Sequence, residues 1–256
     1  GMGMLLGAGG ASLAISSGWS LADNYLLVAA VVAIVSVWGS LQFPNRDKPL
    51  SRPRGEERTM ALGAWKEKRT LTIAIIGFSF IMAEISAGTW VPIALTVSGF
   101  SGSAAAFAFG MLWIVVTFGR LIGGFVVEKI GRYRTVLLST LVTASGILIF
   151  MLVEVIALPF VGLVLWGLGM SMGFPMSVAA MSDEPRKAPY RINMIITVVY
   201  ISSITVGPAL GSLGEVTGIY VAFSIPLALM ILSAILSSAT KPLKITDSAP
   251  EEPAKV

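Results

Sequence analysis

Residues 124–134 read Gly124-Phe-Val-Val-Glu128-Lys129-Ile-Gly131-Arg132-Tyr-Arg134, a short charged stretch between two long apolar runs. The glycines permit a tight turn and a close approach of the backbone. The acid at the helix end can pair with the guanidinium groups of the turn and with a neighbouring helix terminus. The stretch therefore predicts a turn at the cytoplasmic face of a membrane, between two spanning helices.

The composition around this turn excludes a soluble globular protein. Of 256 residues, 55% are hydrophobic and 12% are charged, whereas an ordinary soluble domain carries about 25% charged residues. A membrane-spanning helix needs about 20 mostly apolar residues, and the sequence contains eight such runs. We therefore predict an all-α integral membrane protein with spans near 1–19, 24–43, 71–98, 103–126, 133–153, 156–180, 192–214 and 218–238.

The basic residues follow the pattern of membrane topology. All 18 lie in the stretches 44–69, 127–134 and 181–191, in the C-terminal tail, or at Arg120 near the end of the fourth span. The alternate loops near 18–24, 98–102, 153–159 and 214–219 contain none. By the positive-inside rule both termini are predicted to be cytoplasmic, in the inner membrane of a cell. The net charge of +4 thus reports orientation in a lipid bilayer, and no nucleic-acid partner is predicted.

The sequence contains no cysteine and no histidine. This excludes disulfides, thiolate clusters, histidine metal sites and catalytic cysteines. We predict neither a cofactor nor a metal site, and no enzymatic activity. Any chemistry must use carboxylates, lysine, arginine and hydroxyl groups.

The stretch 124–134 resembles the cytoplasmic loop signature of the major facilitator superfamily, G-x-x-x-D-[RK]-x-G-[RK]-x-[RK]. The matching positions are Gly124, Glu128, Lys129, Gly131, Arg132 and Arg134, with Glu128 in place of the usual aspartate. The resemblance implies a partial major facilitator fold whose spans are family helices five to twelve. It divides the chain into the last two helices of the N-terminal half (1–43), the central cytoplasmic loop (44–70), the C-terminal six-helix half (71–240) and a disordered cytoplasmic tail (241–256).

A narrower likeness lies in Leu165-Trp-Gly-Leu-Gly-Met-Ser-Met-Gly-Phe-Pro175, in Ala83-Glu84 and in Gly207-Pro208. Together these stretches are similar to the fucose-permease-like branch of the family. The chain begins directly in an apolar run, and we interpret it as a fragment that lacks the first four helices. Those missing helices are then an expected partner and supply much of the opposing wall of a site at the bilayer midplane.

Glu84 is the candidate proton-coupling residue. Counted from Leu71 it lies 13 residues into its span, roughly 20 Å along a helix with a rise of about 1.5 Å per residue. An ionised acid at such depth is expensive, so Glu84 should face the protein interior or a cavity. Burial favours the neutral acid, which lets the carboxyl load and release a proton.

Five residues are candidates for substrate binding. Phe80 and Gly88 lie on the Glu84 face of the same helix, four residues before and after it. Trp113 and Trp166 lie near the middle of their spans, away from the interfaces where tryptophan is usual, and Tyr200 lies at similar depth. Each could instead serve bundle packing.

The other charged residues are assigned structural roles. Arg120 is expected to snorkel or to brace the signature loop. Four acids near helix ends or in loops are expected to be solvated or to cap helices; they are Glu154, Asp183, Glu184 and Glu215.

The resemblance implies secondary active transport: proton-linked movement of a small solute by alternating access, with a sugar or related polar metabolite suggested by the branch. Proton-coupled efflux of hydrophobic compounds is a second hypothesis, because the interior is rich in methionine and tryptophan. A non-transporting membrane sensor on the same fold is a third. It predicts saturable ligand binding without solute flux.

Overall fold

The computed structural model describes residues 17–42, 54–152 and 157–243, and within these ranges the chain is helical with no strand. The prediction of an all-α fold is confirmed. The helices are α1 (Leu21–Gln42), α2 (Arg54–Ala64), α3 (Lys68–Val97), α4 (Gly102–Met151), α5 (Leu158–Met181), α6 (Ala188–Thr217), α7 (Ile219–Ala222) and α8 (Ser224–Leu236), followed by a 3-10 turn at Ser237–Thr240.

Six helical segments of the described residues are long and apolar enough to cross a membrane. One of them, α4, is 50 residues long and contains two predicted spans, 103–126 and 133–153. Seven of the eight predicted spans therefore lie in membrane-length helices. Most of the first predicted span, 1–19, lies outside the described residues, as do residues 43–53 and the tail from 244 onwards.

The turn predicted over 127–134 is narrower than expected. Helical geometry continues on both sides of Gly131, which alone departs from it with φ 77° and ψ 160°. Left-handed φ is unfavourable for residues with a Cβ, so a glycine is required at this bend. We call residues 102–130 limb α4a and residues 132–151 limb α4b.

The polar stretch 44–69 contains an unpredicted helix, α2. Glu56 and Glu57 lie in its first turn, where acids interact favourably with the positive end of the helix dipole. Its last residue, Ala64, is buried in a cluster with Met194 and Ile195 of α6. Helix α3 then begins at Lys68, which is earlier than the start of the span predicted at residue 71.

A close backbone contact joins α4b to α5 through glycines. A Cβ atom built on Gly146 would lie 2.7 Å from the carbonyl oxygen of Gly162, and one built on Gly162 would lie 2.8 Å from that of Gly146. Small residues of this kind bring helix backbones together in membranes. The main apolar core continues from this contact to Phe223 of the last span, between α7 and α8.

Candidate functional site

A cavity of about 320 Å³ opens between α3, α4a and α6. Its walls are mostly apolar, with two hydroxyl groups and one carboxyl group. The lining residues are Ile81, Glu84, Ile85, Gly88 and Thr89 from α3, Phe109 and Trp113 from α4a, and Val199 and Ser203 from α6. Glu84 is the one titratable residue in this lining, so the acid predicted from sequence does face a cavity.

Arg120 of α4a forms an ion pair with Glu84. Its Nη2 atom donates to both carboxylate oxygens, at 2.9 Å and 3.1 Å. Its Nε atom donates over 3.4 Å to the backbone carbonyl of Ser171 on α5. Arg120 was expected to snorkel or to brace the signature loop, but its side chain reaches across to Glu84 of α3 instead.

A signal for this pair was present in the sequence. Away from helix ends and from the bend at Gly131, Glu84 and Arg120 are the two charged residues of the described membrane-length helices. Charges inside a membrane protein almost always pair with one another or with backbone carbonyls. Pairing of Glu84 with Arg120 was therefore one of the arrangements open to these two charges, and the structure shows that it is the one formed.

Two of the five predicted substrate residues lie at the cavity, Gly88 and Trp113. A Cβ atom on Gly88 would stand 3.2 Å from Cζ2 of Trp113, so the glycine leaves room for the indole ring. The Nε1 atom of Trp113 is buried and has no hydrogen-bond acceptor among the described residues. Trp113 therefore contributes an aromatic ring to the cavity wall, and its Nε1–H group is an unused hydrogen-bond donor.

The other three predicted substrate residues do not line this cavity. Phe80 is buried, with its ring against Gly173 of α5. Trp166 is fully buried, with its ring centroid 5.9 Å from that of Phe150 and 5.6 Å from that of Phe223. These positions support packing roles for Phe80 and Trp166. Tyr200 is exposed on α6, beside the lining residue Val199.

At one end of the bundle the signature residue Arg132 forms an ion pair with Asp183. Its Nη1 and Nη2 atoms donate to the two carboxylate oxygens over 2.8 Å and 2.7 Å, and its Nε donates to the carbonyl of Thr240. Arg69 donates to the same carboxylate over 2.7 Å. Asp183 was expected to be solvated or to cap a helix, whereas two guanidinium groups enclose it and 13% of its side chain is exposed.

The remaining signature residues contribute less to this network. Glu128, Lys129 and Arg134 are exposed, and Glu128 forms no ion pair with any described residue. The expected pairing of Glu128 with the turn guanidinium groups is thus not observed, because Asp183 occupies Arg132. Gly124 has open space where a Cβ would be.

A second ionic cluster lies at the same end, beside α2. Arg191 donates to Glu67 over 2.7 Å and to Glu184 over 2.9 Å, and Lys187 bridges the same two acids. Glu184 was expected to be solvated, and its pairing with two cations corrects that expectation. Glu215 is exposed, as expected, and Glu154 lies outside the described residues.

Ion pairing lowers the pKa of an acid in each of the two clusters. Burial alone would raise the pKa of Glu67, but hydrogen bonds from Arg191 and Thr70 outweigh it and lower the pKa to about 2. Burial would also raise the pKa of Asp183, but the hydrogen bonds and charges of Arg132 and Arg69 outweigh burial and lower the pKa. Both acids are therefore ionised throughout the physiological pH range.

We expect Glu67→Gln to lower the melting temperature at neutral pH and to lose this effect in acid. The pKa of Glu67 is lowered from 4.5 to about 2, so its contribution is present above about pH 4.5 and fades as the pH falls towards 2. Each kcal/mol lost corresponds to about 2–4 °C in a chain of this size.

Thermal unfolding of both proteins in detergent, followed from about pH 8 downwards, measures this effect. Glu56→Gln, at an exposed acid of α2, is the matched control. Its melting temperature should equal that of the native protein at each pH. If the difference in melting temperature between the native protein and Glu67→Gln instead widened below pH 4.5, the assignment would be contradicted, because the pKa of Glu67 would then have to be raised.

Apolar helices of membrane length, an ion pair in their interior and charges gathered at one end define a multi-pass membrane protein. The profile of the Major Facilitator Superfamily matches residues 1–200. The chain belongs to this superfamily, as the signature at 124–134 predicts.

One curated relative is an uncharacterized MFS-type transporter of Yersinia pestis. It is 28% identical to this chain over 239 residues, which are 93% of this chain and 60% of the relative. The chain therefore spans about three fifths of the length of that relative.

Solved structures show the same fold. FucP, a major facilitator transporter crystallised in the outward conformation, has a TM-score of 0.71 at 16% identity, over 87% of this chain and 55% of FucP. The POT family transporter PepTSo has a TM-score of 0.58 at 22% identity, over 72% of this chain and 39% of its own. A peptide transporter POT in complex with alafosfalin has a TM-score of 0.58 at 17% identity, covering 67% and 38% of the two chains.

Proposed function

We propose that the protein is a secondary active transporter that moves a small solute across the inner membrane by proton-coupled alternating access. The observation that carries this proposal is the ion pair of Glu84 and Arg120, with Glu84 in the wall of a cavity. An ionisable residue inside a membrane-spanning helix is by default a candidate for a functional site. Glu84 is the proton-carrying group in this proposal.

The ion pair supports coupling because it has two distinct states. With Glu84 ionised, the pair is neutral and joins α3 to α4a. With Glu84 protonated, the attraction to Arg120 is lost and the guanidinium needs another acceptor. Protonation therefore favours a different arrangement of these helices, and a solute that binds the two arrangements unequally shifts their populations.

The cavity suits a small solute with a polar face and an apolar face. Trp113 can stack on a sugar ring, and Thr89 and Ser203 offer hydroxyl groups. A sugar or related polar metabolite is the solute that the resemblance to the fucose-permease-like branch suggests. Efflux of hydrophobic compounds is the second candidate, because Ile81, Ile85 and Phe109 make much of the lining apolar.

We place both termini in the cytoplasm. The clusters around Asp183 and Glu67 hold Arg69, Arg132 and Lys187 at one end of the bundle, and basic residues concentrate on the cytoplasmic side of membrane proteins. The N-terminal half, to which we assign residues 1–43, is proposed to supply the wall of the cavity facing α3 and α6.

Proton flux into proteoliposomes tests the proposal. The protein at its natural length is reconstituted with a pH-sensitive dye inside and challenged with neutral sugars, with sugar acids and with lipophilic cations. We expect one solute class to drive proton movement, Glu84→Gln to abolish it, and Glu215→Gln, a matched change at an exposed acid, to leave it intact. Solute exchange without net proton movement should survive in Glu84→Gln.

Each other result has a definite meaning. Equal proton flux in the native protein and in Glu84→Gln would remove this residue from coupling. Proton exchange with lipophilic cations in place of sugars would favour efflux. Saturable solute binding without flux would favour a sensor and overturn transport.

A further inference from the structure

The guanidinium group of Arg120 is only partly used. Its Nη2 atom donates to both carboxylate oxygens of Glu84, and its Nε atom donates a long hydrogen bond to the Ser171 carbonyl. Its Nη1 atom donates no hydrogen bond to any described residue. About a third of the Arg120 side chain, 34%, is exposed, against 17% for Glu84. Arg120 thus has an unused Nη1 atom and contacts Glu84, which lines the cavity. Once Glu84 releases Nη2, the Nη1 and Nη2 atoms together can bind a planar anion through two parallel hydrogen bonds.

No other acid near Glu84 can take its place as the partner of Arg120. The cavity lining from α3, α4a and α6 holds no titratable side chain besides Glu84. From α5 Arg120 receives the neutral carbonyl of Ser171, and the described part of α5 carries no acid. If Glu84 takes up a proton, the arginine remains charged and loses its counter-ion within the membrane.

Resting on the proposed function, we propose that the transported solute is a small organic carboxylate, which replaces Glu84 on the guanidinium of Arg120 while Glu84 takes up one proton. The exchange balances. The proton from the aqueous phase forms an O–H bond on the Glu84 carboxylate, and the solute carboxylate accepts the hydrogen bonds from Arg120. One monoanion and one proton are thus bound together, so that transport is electroneutral.

The cavity indicates the size and polarity of the rest of the solute, apart from its carboxylate group. Its volume of about 320 Å³ lies at the lower end of the usual range for small-molecule sites, about 300–1,000 Å³. Phe109 and Trp113 provide aromatic surface, and Thr89 and Ser203 provide hydroxyl groups. Both a sugar acid and an aryl or alkyl carboxylate match this lining, and the carboxylate is the part that they share.

Matched pairs of probes isolate the carboxylate. Galacturonate is compared with galactose, and phenylacetate with phenylacetamide, by tryptophan fluorescence titration of the purified protein at its natural length. We expect at least one acid to bind about tenfold or more tighter than its neutral partner, the size typical of a charge-assisted hydrogen bond. In proteoliposomes, uptake of that acid should carry protons inward and should not respond to membrane potential.

Variants separate the two partners of the ion pair. In Arg120→Gln the preference for the acid should disappear, and Arg120→Lys, which keeps the charge without the planar fork, should restore only part of it. In Glu84→Gln the competing carboxylate is gone, so acid binding should tighten by about tenfold and lose its pH dependence. The double variant Glu84→Gln/Arg120→Gln has no unpaired charge and should bind acid and neutral probe equally.

Weaker acid binding in Glu84→Gln, or equal affinity for acid and neutral probe in the native protein, would overturn the inference. Proton-coupled uptake of a neutral sugar would overturn it and leave the proposed function standing. If no probe bound and no solute moved protons, both would fail together.

Discussion

Replacement of Gly146 by valine is expected to prevent the native bundle from forming. A Cβ atom at this position would meet the backbone nitrogen of Trp166 and would lie 2.7 Å from the carbonyl oxygen of Gly162. Both neighbours are backbone atoms of α5, so no side-chain rotation relieves the clash. Helices α4b and α5 would have to separate along their closest contact, and overpacking of this kind costs about 3 kcal/mol or more.

Size-exclusion chromatography of a fluorescent fusion in mild detergent measures this effect. We expect the Gly146→Val protein to be lost or aggregated, whereas Gly110→Val should elute as the native protein does. Gly110 lies in the same helix and has no atom within 4 Å of its Cβ position. A monodisperse Gly146→Val protein with native melting temperature would show that this glycine contact is not required.

The second large effect is expected at the ion pair of Glu84 and Arg120. Removal of either charge leaves the other without its partner in the interior, and for fully buried pairs this costs about 3–5 kcal/mol. Arg120 is one third exposed, so solvent screening reduces the expected loss to about 1–3 kcal/mol for each single variant. The double variant Glu84→Gln/Arg120→Gln should recover most of the loss, because no bare charge remains.

A double-mutant cycle on the melting temperature in detergent checks this expectation. The pair Glu184 and Lys187 is the control, because 39% and 48% of these side chains are exposed and such pairs couple by less than about 1 kcal/mol. Additive losses at Glu84 and Arg120, with no recovery in the double variant, would show that the two charges do not stabilise one another.

The helical architecture could be predicted because length and polarity are local properties. An apolar run of about 20 residues can satisfy its backbone in a membrane only as a helix, and charged loops interrupt such runs. This reasoning located seven membrane-length spans now seen in α1, α3, α4, α5, α6 and the last segment. It missed α2, since the charges of residues 54–64 are typical of both a polar loop and a surface helix.

The candidate site could be predicted only in part. The depth of Glu84 follows from counting residues along one helix, and so it was found. Trp113 and Trp166 look alike in sequence, both near the middle of apolar spans. The first lines the cavity, whereas the second is enclosed by Phe150 and Phe223, and the side of the helix that meets neighbours depends on how α4 and α5 are packed.

The sequence by itself determined the family, the helical fold and a glycine-containing turn within residues 124–134, because a signature and apolar length are each local. Tertiary structure alone decided the partners of the charges. Arg120 is 36 residues from Glu84 and Arg132 is 51 residues from Asp183. An arginine side chain is long enough to reach more than one neighbouring helix, so its partner depends on the direction in which two helices cross.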